Sequence, residues 1–472
     1  MRAISRFWWF LAPGLVQSGI SVLMLPLSTY VLGPADFGFF ALLSALAGFL
    51  GVIASFGSSY LLSAHFPTLD EEQRGRLISS LVCAGLTTGA LLGTLLVAGW
   101  PWFGSLSTEF GRVGRSYIAL SVLAMLLTVP WYVAVDVIRL DGRAHFYAAV
   151  LVTQSLASAA ALLGALFYFE LGVASLFVAA VSGAFVLCIG AMITLGHRLT
   201  LLLDARWLKE MVNLGTHMVV AHTAESVHQV LERSVLSVRS GLGELGIYSH
   251  SQQYRNIVDI PISAIANSAW PVTLAEARKE STDFVHTRLA WNTAHLLLTA
   301  AGLALATLGP HLISLLTHDK FTEAYILATL WVVFLLVRYT GRAQTGLFYA
   351  RGAGASYARI QAFSMVIGTL LLFLFVPLFG IYGAFLSAVS QQAVLRLGVH
   401  WRSQQIQRVP FQDQWAVFGA VLISVTLWVQ NELAAGLQAD IGLLAAAMAI
   451  LAISAHRPIA ETYARLVNAS HP

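Results

Sequence analysis

The sequence predicts an all-α integral membrane protein of about fourteen transmembrane helices, and three observations predict it. Of 472 residues, 57% are hydrophobic and only 11% charged, where an ordinary soluble domain carries roughly 25% charged residues. Apolar runs of about 20 residues, the length that crosses a bilayer core, recur along the whole chain rather than in one anchor. Basic residues gather in alternate connections, as the positive-inside rule requires of a multi-pass protein.

Taken in order, the spans cover 7–31, 36–60, 77–99, 116–138, 146–169, 171–194, 214–236, 245–275, 289–309, 323–348, 356–378, 381–401, 413–430 and 434–454. The first follows MRAISR; a helix-length run with no small-residue cleavage pattern reads as a retained span, not a removed signal peptide. The turn LGPADFG then leads into the second span. Its glycines permit positive φ and close helix approach, and Asp36 is placed to cap the helix that follows. The longest connections, 100–115 and 196–210, are too short to bury a soluble core. Any function therefore lies among the helices. Cys83 and Cys188 fall inside spans, so neither a disulfide framework nor a metal site is expected, and no cofactor is implied.

With the N-terminus in the cytoplasm, the cytoplasmic connections hold most of the Arg and Lys, including Arg74, Arg76, Arg139, Arg143, Arg351, Arg359, Arg396 and Arg402. The opposite side holds Arg112, Arg115, Arg233, Arg239 and Lys320. Both termini are thus expected in the cytoplasm, and the net charge of +4 reflects topology rather than a nucleic-acid partner.

GLGELG at Gly241–Gly246 spells G-x-G-x-x-G, but a dinucleotide turn needs a strand before it and a soluble helix after it. Apolar runs flank it instead. It matches an earlier stretch of the same chain: Gly33, Asp36, Gly38 and Phe40 align with Gly241, Glu244, Gly246 and Tyr248 at one constant offset. At the same offset LGVASLFVAAVS from Leu171 matches FGIYGAFLSAVS from Phe379, pairing Gly172 with Gly380 and Phe177 with Phe385. Gly142 and Gly352 pair at nearly that offset. Three collinear matches predict an internal duplication of six spans. Six-helix lobes at 1–197 and 198–405 are expected, related by an axis along the membrane normal, with two further helices and a cytoplasmic tail at 406–472.

Together, LGPADFGFFAL, ERSVLSVRSGLGELGIYSHSQQYR with PVTLAEA beyond it, and FGIYGAFLSAVS resemble polysaccharide-export flippases of the Wzx type. These belong to the multidrug/oligosaccharidyl-lipid/polysaccharide exporter superfamily, with the MurJ lipid II flippases and MATE drug exporters. The resemblance runs from about Phe7 to Arg402. It implies two lobes around a cavity open alternately to either side, and transport of an undecaprenyl-diphosphate-linked oligosaccharide across the bacterial inner membrane for O-antigen, capsule or exopolysaccharide synthesis. Membrane lipids, a polysaccharide polymerase and a chain-length regulator are the implied partners. The seventh span departs from the family: it is rich in histidine and lacks an early proline.

Ionisable residues inside spans are costly and usually face hydrated interiors. In the seventh span His222, Glu225, Gln229 and Glu232 share one helical face; in the eighth, Gln252, Arg255, Asp259, Ser263 and Asn267 do. Glu225 and Arg255 each fall roughly 16 Å deep, near the midplane. Arg255 is the candidate diphosphate ligand, because a guanidinium fork suits phosphate oxygens. MurJ-like relatives carry an arginine in the eighth span, which Arg255 resembles in placement. Glu225 or Asp259 would hold Arg255 between cycles, Asp259 as its i+4 neighbour; alternatively these charges form an ion pair that only joins helices. Arg338, Arg342 and Thr345 make a further face in the tenth span, where Arg342 either contacts substrate or snorkels to headgroups. Gln252 and Gln229 complete the substrate-binding set. His222 and His228 offer either proton coupling or polar packing.

A MATE-like cation-coupled drug exporter is the alternative within transport, and it would favour a cavity dominated by acids. A membrane-embedded polymerase or glycosyltransferase is the alternative among enzymes. Those need catalytic side chains in a sizeable outer loop, and the outer connections here are short, so the reading is a transporter and not an enzyme.

Overall fold

The computed structural model describes residues 2–55, 58–66, 69–104, 114–200, 204–211, 216–279, 284–407, 413–433 and 436–469. Among them no strand forms. Over its described residues every expected span is largely helical. α1 (Arg2–Val31), α2 (Pro34–Ser55), the short α3 (Ser58–His65), α4 (Glu71–Gly104), α5 (Arg115–Leu140), α6 (Ala144–Leu163, ending in a π-helical turn) and α7 (Ala174–Leu195) carry the first six. After α8 (Ala205–Glu210), the long α9 (Thr216–Arg278) carries the seventh and eighth. α10 (Val285–Thr317) is the ninth; α11 (Ala324–Tyr339) and α12 (Arg342–Ala350) share the tenth; α13 (Gly354–Ile406) carries two; α14 (Gln414–Leu433) and α15 (Leu437–Ala469) are the last. Ten of the described helical stretches are long and apolar enough to cross a membrane. The protein is an all-α, multi-pass membrane protein.

Glycine sets the points where long helices divide. α9 breaks at Gly241, with φ 85° and ψ 170°, and α13 at Gly380, with φ 55° and ψ −130°. Glycines aligned by the expected repeat both take positive φ: Gly142 and Gly352 have φ of 69° and 68°, Gly172 and Gly380 of 53° and 55°. L-residues with a Cβ resist that region.

The chain forms two compact units, Met1–Gly246 and Ile247–Pro472. In the first, α5 packs on α4 and α7, and α6 on α1 and α7. Phe39, Phe40, Tyr117 and Phe177 form an aromatic cluster, with ring centroids 5.2–5.7 Å apart. Aromatic pairs of this kind add about 0.5–1.5 kcal/mol beyond their buried area. The turn before α2 is capped as its sequence predicts: the Asp36 carboxylate accepts the Gly33 N–H at 2.9 Å, while Pro34 opens the helix, where a missing N–H costs nothing. At one end of this unit Arg198 pairs with Asp141 at 2.9 Å and Glu71 at 3.5 Å.

In the second unit α10 lies against α11, α14 and α15. Trp331 is buried between Tyr248, Phe334 and Phe385, and its indole N–H donates to Ser251 at 3.1 Å. Phe40 and Phe177 touch directly in the first unit; their repeat partners Tyr248 and Phe385 both press on Trp331 in the second. His311 on α10 bonds the buried Asp440 carboxylate at 2.8 Å, which fixes α15 to the unit.

Candidate functional site

The tenth span does not run as one helix. Thr340 is extended and Gly341 takes φ 67°, so α11 ends at Tyr339 and α12 starts at Arg342. A break inside a span frees backbone polar groups that hydrocarbon cannot satisfy, and such breaks persist only where protein supplies partners. Here the Gly341 N–H donates to the Asp413 carboxylate at 3.0 Å, from the residue that precedes α14.

Around this break the second unit gathers the polar side chains of its spans. Tyr339 donates its hydroxyl to Asp259 Oδ1 at 2.6 Å, and the Tyr339 hydroxyl oxygen lies 3.1 Å from Ser263 Oγ. The Tyr339 ring stacks on Trp291 of α10, with centroids 5.5 Å apart and planes 23° from parallel. Arg342 places its guanidinium 4.9 Å from the Tyr339 ring centroid and 5.4 Å from that of Trp291. One helix turn of the eighth span away, Arg255 lies over Trp331 at 4.7 Å and bonds the Asn256 side-chain oxygen at 3.2 Å. Cation–π contacts of this kind hold a guanidinium's plane against the aromatic face.

Of the expected site residues, Asp259 uses its carboxylate to accept the Tyr339 hydroxyl. Arg338 and Arg342 do not share one continuous helical face, because the Gly341 break lies between them. Arg342 is half-buried, and its Nε is closed off without a hydrogen-bond partner. Gln252 is buried on α9 and Gln229 is exposed there. The side chains of His222, Glu225 and Asn267 lie outside the described residues, so their expected roles have no geometry here. Trp291, Tyr339, Asp413 and Arg396 are the residues that the sequence reading passed over. Only the Thr-Gly pair at 340–341, inside an otherwise apolar run, signalled the break.

The all-helical chain with broken spans, and with arginines and carboxylates set among membrane helices, resembles solved structures of transporters and flippases. A lipid II flippase MurJ in an inward closed conformation matches with TM-score 0.72 and 13% identity, over 97% of this chain and 99% of that one. An inward-facing multidrug resistance MATE family transporter of the MOP superfamily matches with TM-score 0.58 and 17% identity, over 85% and 94%. A MOP superfamily transporter from Pyrococcus furiosus matches with TM-score 0.53 and 17% identity, over 85% and 95%. At these identities the likeness shows a shared fold.

By sequence, residues 29–325 match the profile of the family described as polysaccharide biosynthesis protein, and the chain belongs to that family. No curated protein matches it. The family and the fold agree with the resemblance carried by LGPADFGFFAL and FGIYGAFLSAVS.

Proposed function

We propose that this protein is a Wzx-type flippase, which carries an undecaprenyl-diphosphate-linked oligosaccharide repeat unit across the bacterial inner membrane. The observation that carries the reading is a combination. A polysaccharide-biosynthesis sequence family is joined here to a fold shared, along 97% of the chain, with a lipid II flippase. In this reading the substrate's diphosphate meets Arg255, whose guanidinium is already braced on Trp331. Arg338 and Arg342 add positive charge deeper in the second unit, and Gln252 and Gln229 bond sugar hydroxyls. The prenyl tail stays in lipid while the head crosses. No covalent bond is made or broken, so the chain is not an enzyme.

The six-helix repeats at 1–197 and 198–405 alternate the access of this site to the two membrane faces, with both termini in the cytoplasm. Export moves anionic charge outward, and an inside-negative potential favours that by about 2.3 kcal/mol per elementary charge per 100 mV. A polymerase and a chain-length regulator would take the exported unit. The arginines argue against the drug-exporter reading, since a cation-binding cavity gains from acids and loses from guanidinium groups. Reconstitution tests the proposal directly. In proteoliposomes the protein should move a fluorescent undecaprenyl-diphosphate oligosaccharide between leaflets faster than empty vesicles do, and equal rates would refute it.

A further inference from the structure

Arg396, on the second half of α13, lies against the break in the tenth span: a Cβ on Gly341 would stand 4.0 Å from Arg396 Cδ. Arg342 is the next residue along from that glycine. The two guanidinium groups and that of Arg338 lie within electrostatic range of one another, with the Tyr357 hydroxyl and Asp413 also in range of Arg396. Arg396 Nε and Nη1 and Arg342 Nε are closed off from solvent and have no hydrogen-bond partner.

Unpaired, buried guanidinium donors are expensive, and like charges set together make them more so. The nearby acids do not relieve the cluster. Asp413 accepts the Gly341 N–H through Oδ2, and Asp259, the other acid in range of Arg342, accepts the Tyr339 hydroxyl. Three arginines therefore face two carboxylates, each already holding a donor of its own. A protein keeps such a destabilising set where a ligand completes it.

We propose that Arg342 and Arg396 form a phosphate-binding site at the Gly341 break, separate from the Arg255 contact. A tetrahedral phosphate offers several acceptor oxygens, enough to engage both forks at once through charge-assisted bonds. Three sources carry this chemistry: the diphosphate of the export substrate, an anionic phospholipid headgroup, or free inorganic phosphate. The site deepens the proposed function only in the first case; in the others it stands without it.

The test uses the full-length protein purified in detergent, with inorganic pyrophosphate, phosphatidylglycerol and undecaprenyl diphosphate as separate probes. Binding is read by native mass spectrometry and by the thermal unfolding midpoint. Arg342→Gln and Arg396→Gln should each weaken binding of at least one probe by about tenfold or more, the worth of a charge-assisted hydrogen bond. Arg359→Gln, an exposed arginine on the same helix, should bind as wild type. Without ligand, Arg396→Gln should melt at or above the wild-type temperature, because it removes two guanidinium donors that are closed off without partners. A lower ligand-free melting temperature with unchanged binding of every probe would overturn the site and make Arg396 a packing residue. If phosphatidylglycerol binds with this variant pattern and undecaprenyl diphosphate does not bind at all, the site holds and the flippase reading loses its ligand.

Discussion

Gly38 and Gly246 stand in reciprocal contact. A Cβ on Gly38 would run into the Leu242 carbonyl oxygen and the Gly246 amide nitrogen, and a Cβ on Gly246 would run into the Pro34 carbonyl oxygen. Pro34 and Leu242 align at the same sequence offset as the two glycines. The two similar turns thus meet backbone to backbone, a closeness only glycine allows.

Gly38→Ala should therefore destabilise the fold by about 1–3 kcal/mol, the usual cost of forcing a methyl into a filled space. Gly48→Ala on the same helix meets nothing within 4 Å and should change stability by less than about 0.5 kcal/mol. Thermal unfolding of the two purified variants separates them. Equal melting temperatures would remove the steric argument.

The hydroxyl of Tyr339 is the donor that Asp259 holds. Tyr339→Phe should cost about 1–3 kcal/mol, since it strands a partly buried carboxylate. Asp259→Asn keeps an acceptor oxygen for Tyr339 and should cost less. If both lose the same stability in denaturation, the charge of Asp259 rather than its hydrogen bond is what the fold uses.

At the start of α10, Glu276 acts as a cap from the preceding helix. Its carboxylate accepts the backbone N–H of His286 at 3.0 Å and of Thr287 at 3.1 Å, and the Thr287 hydroxyl at 2.6 Å. Partial burial pushes this carboxyl up, but the hydrogen bonds from Thr287 and His286 outweigh it and hold it below the usual carboxylate range. A depressed folded value means the stabilisation is present above the unfolded pKa of about 4.3 and is lost as pH falls through the folded value. Glu276→Gln should accordingly melt lower than wild type at neutral pH, with the gap closing under acid. Melting curves across pH check this, and a gap independent of pH would contradict it.

Asp440 is buried and bonded to His311. Asp440→Ala leaves His311 without that acceptor and should cost about 1–3 kcal/mol. The loss should appear first as faster proteolysis in α15, the helix this contact secures. Cleavage at an unchanged rate would mean that apolar packing alone holds the helix.

Helix content and span positions were legible because hydrocarbon permits few alternatives: a long apolar run must satisfy its own backbone, so it is helical. The glycines at 142, 172, 352 and 380 were legible as turn positions for a similar reason, since a backbone at positive φ admits little else. The side-chain arrangement at the site was less legible. A face drawn at steps of three and four assumes one unbroken helix, and Gly341 voids that assumption between Arg338 and Arg342. Arg396 reads as one more positive-inside charge near a span end; only the fold brings its stem against Gly341. Asp413 and Gly341 lie far apart in sequence, and no periodic pattern links a helix-preceding carboxylate to a backbone amide so distant along the chain. His311 and Asp440 show the same limit.

The central claim, export of a lipid-linked oligosaccharide, is tested most directly in a flippase-deficient strain carrying the cognate sugar pathway. Wild type and Arg255→Ala, at matched expression, are compared by scoring lipid-linked repeat units on each membrane face. The account predicts outward-exposed units with wild type and accumulation on the inner face with the variant. Failure of the wild type to rescue would contradict the flippase assignment, and full rescue by Arg255→Ala would contradict the role given to that arginine.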